Sequence, residues 1–291
     1  MHPFRYVQAT KLTEAVSLLS RYGNRAKLLA GGTDLLVQLR GERFEADAVV
    51  NVKSIPELAA LTHNGTLSIG AAVPCYRIYE DEGVAAAYPG IIDAASLIGG
   101  IQIQSRASLG GNLCNASPSA DGICPLIVYS GTATINGVDG TRTLPVEDFC
   151  TAPGRNALHA GEMLVNVDLP KSPARFGAAY QRFIPRNEMD IAVAGVASAV
   201  TLDASGEKIE HARIALSAVG PTPIFARRAS ESLAGQPATP QSMERAAQIA
   251  ITEASPITDM RGTAEQRRHL VGVLTRRTIA LAIERARGNV R

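Results

Sequence analysis

A chain of 291 residues that is 46% hydrophobic and 19% charged can bury one large core or two modest ones, and it is too apolar to be disordered. Its 29 basic and 27 acidic side chains leave a formal charge of +2, with 4% aromatics and no tryptophan. Neither a basic footprint nor a base-stacking platform for nucleic acid is therefore built in.

The opening His2-Pro3-Phe4-Arg5-Tyr6 has no apolar signal core, and no apolar run reaches membrane-spanning length. The expected location is the cytoplasm. In chain order, Ala15, Val16, Leu18, Leu19 and Tyr22 share one helical face, and Gly23 is placed to end that helix. Lys27–Ala30 reads as a strand broken by Gly31-Gly32, with Thr33 as the N-cap of a helix over 34–39. A strand at 48–52 completes a small parallel α/β unit of the first 55 or so residues. Strands follow at 67–71, 132–135 and 162–169, with helices at 91–97 and 126–129 and a turn at Gly137–Gly140. The run Pro170-Lys171-Ser172-Pro173 marks the expected domain boundary. Beyond it, strands at 192–202 and 212–219, then helices near 225–234, 241–254 and 264–287, read as an α+β domain.

Familiar catalytic signatures are absent: no G-x-G-x-x-G, P-loop, H-E-x-x-H or G-x-S-x-G occurs, and the five histidines have no metal-ligand spacing. Cys75, Cys114, Cys124 and Cys150 stand singly without C-x-x-C spacing, so neither a disulfide framework nor an iron–sulfur or zinc site is read from them. Two glycine pairs stand out instead. Lys27-Leu28-Leu29-Ala30-Gly31-Gly32-Thr33-Asp34-Leu35 feeds a strand into a helix N-terminus, where backbone N–H groups can face an anion and missing Cβ atoms let a phosphate approach. The stretch 107–121, with Ala107, Ser108, Gly110, Gly111 and Asn112, reads as a long polar loop, a kind of segment that is usually functional inside a compact domain. Either pair can also be a plain turn. Together, about 80 residues apart, they can close on the two phosphates of a dinucleotide.

These two segments, with Asp121 nine residues beyond Asn112, resemble the flavin subunit of the molybdenum hydroxylases, the medium subunits of xanthine and carbon monoxide dehydrogenase. The resemblance spans the chain: Gly161-Glu162-Met163-Leu164, the segment 182–192, and Thr258-Asp259-Met260-Arg261-Gly262-Thr263-Ala264 with Arg267-Arg268 match in order. It implies an α+β protein. An FAD-binding domain of the p-cresol methylhydroxylase type would occupy 1–172, in subdomains of about 1–56 and 57–172, and a small C-terminal domain with an antiparallel sheet and helices would occupy 173–291. It also implies a binding site. The segment 27–35 would wrap the pyrophosphate; Ile98, Gly99 and Ile103 would line the cofactor; Ala107, Ser108, Gly111 and Asn112 would form a second clamp. Ala120 belongs to the same set, Asp121 would hydrogen-bond ribityl or ribose hydroxyls, Leu164 would lie against adenine, and Arg182 would reach the flavin edge. No catalytic acid or base and no metal ligand is expected in this chain.

Non-covalent FAD is the implied cofactor, with the molybdenum cofactor and [2Fe-2S] clusters confined to a large and a small partner subunit, as a dimer of heterotrimers. The implied role is electron relay from those clusters to NAD or a quinone. A self-sufficient FAD-dependent oxidoreductase of the same fold and a non-catalytic assembly subunit are the rivals. The arginines along the last helix are either a surface for an acidic partner or a solvated face.

Overall fold

The computed structural model describes residues 2–290; Met1 and Arg291 lie outside the described residues. Three sheets organise the chain. The first is parallel, in the order β1-β3-β2, built from β1 (Arg5–Gln8), β2 (Ala26–Leu29) and β3 (Ala48–Asn51). Helix Leu12–Tyr22 crosses between them, burying Ala15, Val16 and Leu19, and ends at Gly23 with φ +53°. That is the expected α/β unit, with β1 added.

The second sheet is antiparallel, in the order β4-β5-β10-β6-β7. Its members are β4 (Leu61–Asn64), β5 (Thr66–Gly70), β6 (Thr132–Gly137), β7 (Gly140–Pro145) and, after the small hairpin of β8 (Cys150–Ala152) and β9 (Arg155–Asn156), β10 (Met163–Leu169). Helix Ile123–Val128 is buried along its whole length, as its unbroken apolar run requires.

The third sheet runs β11 (Phe176–Phe183), β12 (Ala194–Leu202), β13 (Ile209–Ser217), β14 (Ile224–Phe225), and the segment 170–173 joins it to β10. One face packs Ala178, Tyr180, Ala197 and Ala215 into the core of the first half. The other packs Val196, Val200, Ile214 and Leu216 against helices Pro240–Glu253 and Ala264–Arg287. Burial on both faces accounts for the nearly continuous apolar run of β12. No helix among the described residues is long and apolar enough to cross a membrane.

Two expectations are corrected, and a third holds for only part of its residues. Thr33 is not the cap of its helix: the helix is Leu35–Arg40 and Asp34 occupies the N-cap position, with no side-chain cap bond. The stretch 107–121 is not a long loop, because Leu109–Asn115 is helical, its first turn closed by Ser108 Oγ accepting from Gly111 N at 3.0 Å. The arginines of the last helix divide: Arg268, Arg277 and Arg287 are exposed and Arg276 is half-buried, whereas two are spent inside the fold. Arg267 is buried on the carbonyls of Val193 and Ala218 and on Asp259, and Arg285 forms a bidentate pair with Asp93 across the two halves.

Candidate functional site

The C-terminal ends of parallel strands β2 and β3 open onto one crevice, the usual place for a ligand in an open α/β sheet. From β3 the chain continues to Lys53, whose Nζ donates to the carbonyl of Ala30 at 3.1 Å and pins the first glycine loop. Burial, and next the neighbouring Arg106, lower the Lys53 pKa. Sequence reasoning missed Lys53; its place just after a strand parallel to β2 is the signal that could have found it.

The two glycine segments meet directly. A Cβ on Gly31 would lie 2.1 Å from the carbonyl oxygen of Arg106, and one on Gly110 would lie 2.5 Å from the backbone of Ala71. Gly32 sits at φ +77°, a conformation that L side chains rarely adopt. Gly111 is different: a Cβ there would meet only Ser108 Oγ, at 3.0 Å. Between the segments lies a cavity of about 80 Å³, lined by Ala30 to Leu35 on one side and by Ile98, Ala107, Ser108, Gly111 and Asn112 on the other. Among the described residues, the backbone N–H groups of Gly31, Gly32, Thr33 and Asp34 donate to no protein acceptor. A row of unpaired donors lining a small open cavity fits a pyrophosphate.

A larger cavity of about 570 Å³ adjoins it, sharing Ala30, Asp34, Leu35 and Gly111, and lies between the first two sheets. Lys27, Leu28 and Leu164 line it, with Leu19 and Leu58 supplying further apolar wall. Lys27 Nζ lies 4.6 Å from the centre of the Phe44 ring, and burial lowers its pKa. Burial pushes the Asp34 carboxyl up. Gln38, whose amide donates to Asn115 Oδ1 at 3.0 Å, and Asn156, which donates to the carbonyl of Cys114 at 2.7 Å, add polar wall that the sequence did not single out. Glu162 closes the rim: Arg142 holds it through two bonds of 2.7 and 2.6 Å and draws its carboxyl down to about 2.

The remaining expected residues lie off both cavities. Leu29 packs with Leu39, Ala46 and Val49 in the small core of the first sheet. Gly99, at φ +63°, abuts Ile103, which packs on the main core. Ala120 and Asp121 are buried. Asp121 Oδ1 accepts from Tyr180 Oη at 2.7 Å, and Oδ2 from Arg182 Nη1 at 2.5 Å. Its carboxyl is pushed up by burial, against the opposing pull of Arg182 and Tyr180.

Two family models match the chain: the FAD binding domain in molybdopterin dehydrogenase over residues 2–172, and the CO dehydrogenase flavoprotein C-terminal domain over residues 178–282. The xanthine dehydrogenase FAD-binding subunit of Escherichia coli O157:H7 is 32% identical, with 98% of each chain covered. The carbon monoxide dehydrogenase medium chain of Hydrogenophaga pseudoflava is 30% identical, with 96% of each covered. A chain of reconstituted CO dehydrogenase from Oligotropha carboxidovorans superposes with a TM-score of 0.93 at 27% identity, covering 98% of this chain and 99% of that one. With its orphaned amide row, its paired glycine segments and matches along nearly all its length, the chain belongs to the FAD-binding flavoprotein subunits of the molybdenum hydroxylases, and is an oxidoreductase subunit.

Proposed function

We propose that this chain holds one non-covalent FAD and relays electrons from [2Fe-2S] clusters on a small partner subunit to an external acceptor, NAD or a quinone. A large partner would carry the molybdenum cofactor and oxidise the substrate, and the whole would assemble as a dimer of heterotrimers. The observation that carries the reading is the row of unpaired N–H groups at Gly31 to Asp34, residues that line one small cavity with Gly111. In this reading those donors and the Ser108–Asn112 turn hold the pyrophosphate, and the apolar wall of Leu19, Leu58 and Leu164 takes the adenine end. The bound isoalloxazine supplies the redox chemistry, accepting and releasing electrons; the protein binds it, orients it and tunes it.

Cys114, the thiol that lines the larger cavity, is pushed up to about 12 by burial, so it stays protonated and is no nucleophile for covalent attachment. The four cysteines are free, which suits a reducing cytoplasm. The test is expression of the chain alone and together with its partner subunits. The lone chain should bind FAD and reduce artificial dyes slowly, while substrate-driven flavin reduction should need the partners. Substrate-driven reduction by the lone chain would establish the self-sufficient oxidoreductase instead.

A further inference from the structure

The small cavity and the larger one share Ala30, Asp34, Leu35 and Gly111, so these residues mark the joint between them. Of the four, only Asp34 has a side chain that can hydrogen-bond, and it is the only ionisable side chain lining the small cavity. Its carboxylate is not spent on the fold. It makes no cap bond to the helix it precedes, and among the described residues it has no hydrogen-bond or ion-pair partner. Lys27 and Arg43 line the larger cavity, yet neither pairs with it, and Lys27 lies over the Phe44 ring instead. Asp34 is exposed to the open cavities, so a ligand that fills them covers it. A covered carboxylate without a hydrogen-bond donor is strongly unfavourable, and a second anion against it is repelled. The part of the ligand at the joint must therefore bring neutral donors.

We propose that Asp34 is a specificity-determining residue for the cofactor: its carboxylate accepts from the 2′- and 3′-hydroxyls of the adenosine ribose, and so selects FAD over FMN. The proposal rests on the FAD reading above, with the pyrophosphate in the small cavity and the adenine end in the larger one. What spans the joint is then the sugar that links them, and its two adjacent hydroxyls match the two oxygens of one carboxylate. Hydrogen bonds to a charged acceptor are about twice as strong as neutral ones. Asp34 thus serves two neighbouring groups, its unpaired amide the pyrophosphate and its side chain the sugar.

The test is equilibrium dialysis of the full chain with three probes: FAD, FMN, and FAD lacking the adenosine 2′-hydroxyl. Wild type should bind the deoxy analogue about tenfold more weakly than FAD, the loss of one charge-assisted bond. Asp34→Leu keeps the bulk of the side chain but accepts no hydrogen bond. It should bind FAD about a hundredfold more weakly than wild type, with FMN within about threefold and the deoxy analogue level with FAD. Two results overturn the proposal. A deoxy analogue still about tenfold weaker than FAD in the variant would mean that the carboxylate does not touch the ribose. An equal loss for FMN would place Asp34 at the half that FMN and FAD share. If Asp34→Leu yields no folded chain, Asp34→Asn carries the test; it removes the charge and should cost FAD about tenfold with FMN unmoved, and unchanged FAD affinity overturns the proposal. A wild-type chain that takes up no FAD overturns the FAD reading and this assignment together, whereas FAD binding indifferent to Asp34 overturns the assignment alone.

Discussion

The two glycine pairs look alike in sequence and sit on opposite walls of one small cavity, yet they are built differently. Gly31-Gly32 forms a turn leaving a strand; Gly110-Gly111 lies in the first turn of a helix. In each pair the first glycine touches another backbone, Arg106 for Gly31 and Ala71 for Gly110. The second borders the cavity, Gly32 in a left-handed conformation and Gly111 with only the Ser108 hydroxyl in the way of a side chain. A paired glycine motif can thus divide its work, one residue letting segments pack and the other leaving room for a ligand.

Substitutions can break that division. Gly31→Ala places a methyl 2.1 Å from a backbone carbonyl that has no free end to move, so the two segments must separate. We expect a loss of about 3 kcal/mol in urea unfolding, whether or not FAD is present; unchanged stability would show that the contact is dispensable. Gly111→Val should do the reverse. It meets only a serine hydroxyl and improves helix propensity, so the fold should survive. Its methyls enter the space shared by both cavities, and FAD affinity in equilibrium dialysis should fall at least about a hundredfold, ~2.8 kcal/mol. Near wild-type affinity would reduce Gly111 to a packing residue.

Gly32→Ala is milder, because the added methyl meets only the movable ends of leucine side chains, Leu29 Cδ1 at 2.7 Å and Leu36 Cδ1 at 3.4 Å, besides a strained φ of +77°: about 1–2 kcal/mol in stability, with thermal denaturation as the check. The smallest effect is at the rim. The Glu162 carboxyl is held down to about 2 by Arg142, below its ordinary value, so this pair stabilises the fold above the normal carboxylate range. Its contribution is lost as pH falls from about 4.5 through about 2. Arg142 is one-third exposed, so the Arg142→Met variant should lose less than about 1 kcal/mol at neutral pH. Its unfolding free energy should also depend less on pH between 5 and 2; an unaltered pH profile would remove the pair from the account.

What the sequence made legible was local. The first helix with its Gly23 stop, the strand feeding Gly31-Gly32 and the buried helix Ile123–Val128 all follow from periodicity and punctuation. Helix Leu109–Asn115 did not, since two glycines spoil its propensity. It forms because Ser108 caps it and Gly110 allows close packing on Ala71, a contact about 40 residues away. Strand β11 was missed because Gly-Ala-Ala gives no alternation to read, and its pairing with β12 supplies the order. The Asp121 partners lie 59 and 61 residues downstream, beyond any spacing rule. The family resemblance pointed to both glycine segments that line the small cavity, but it did not show that Asp121 faces the second half of the chain.

The central claim is that the unpaired amides of Gly31 to Asp34 and the cavity they share with Gly111 hold one FAD without a covalent bond. The direct measurement is flavin content after acid precipitation of the purified chain, beside the Gly111→Val variant. The account predicts about one FAD per wild-type chain, all of it released to the supernatant, and almost none from the variant. Flavin retained in the pellet, or equal FAD in both proteins, would contradict it.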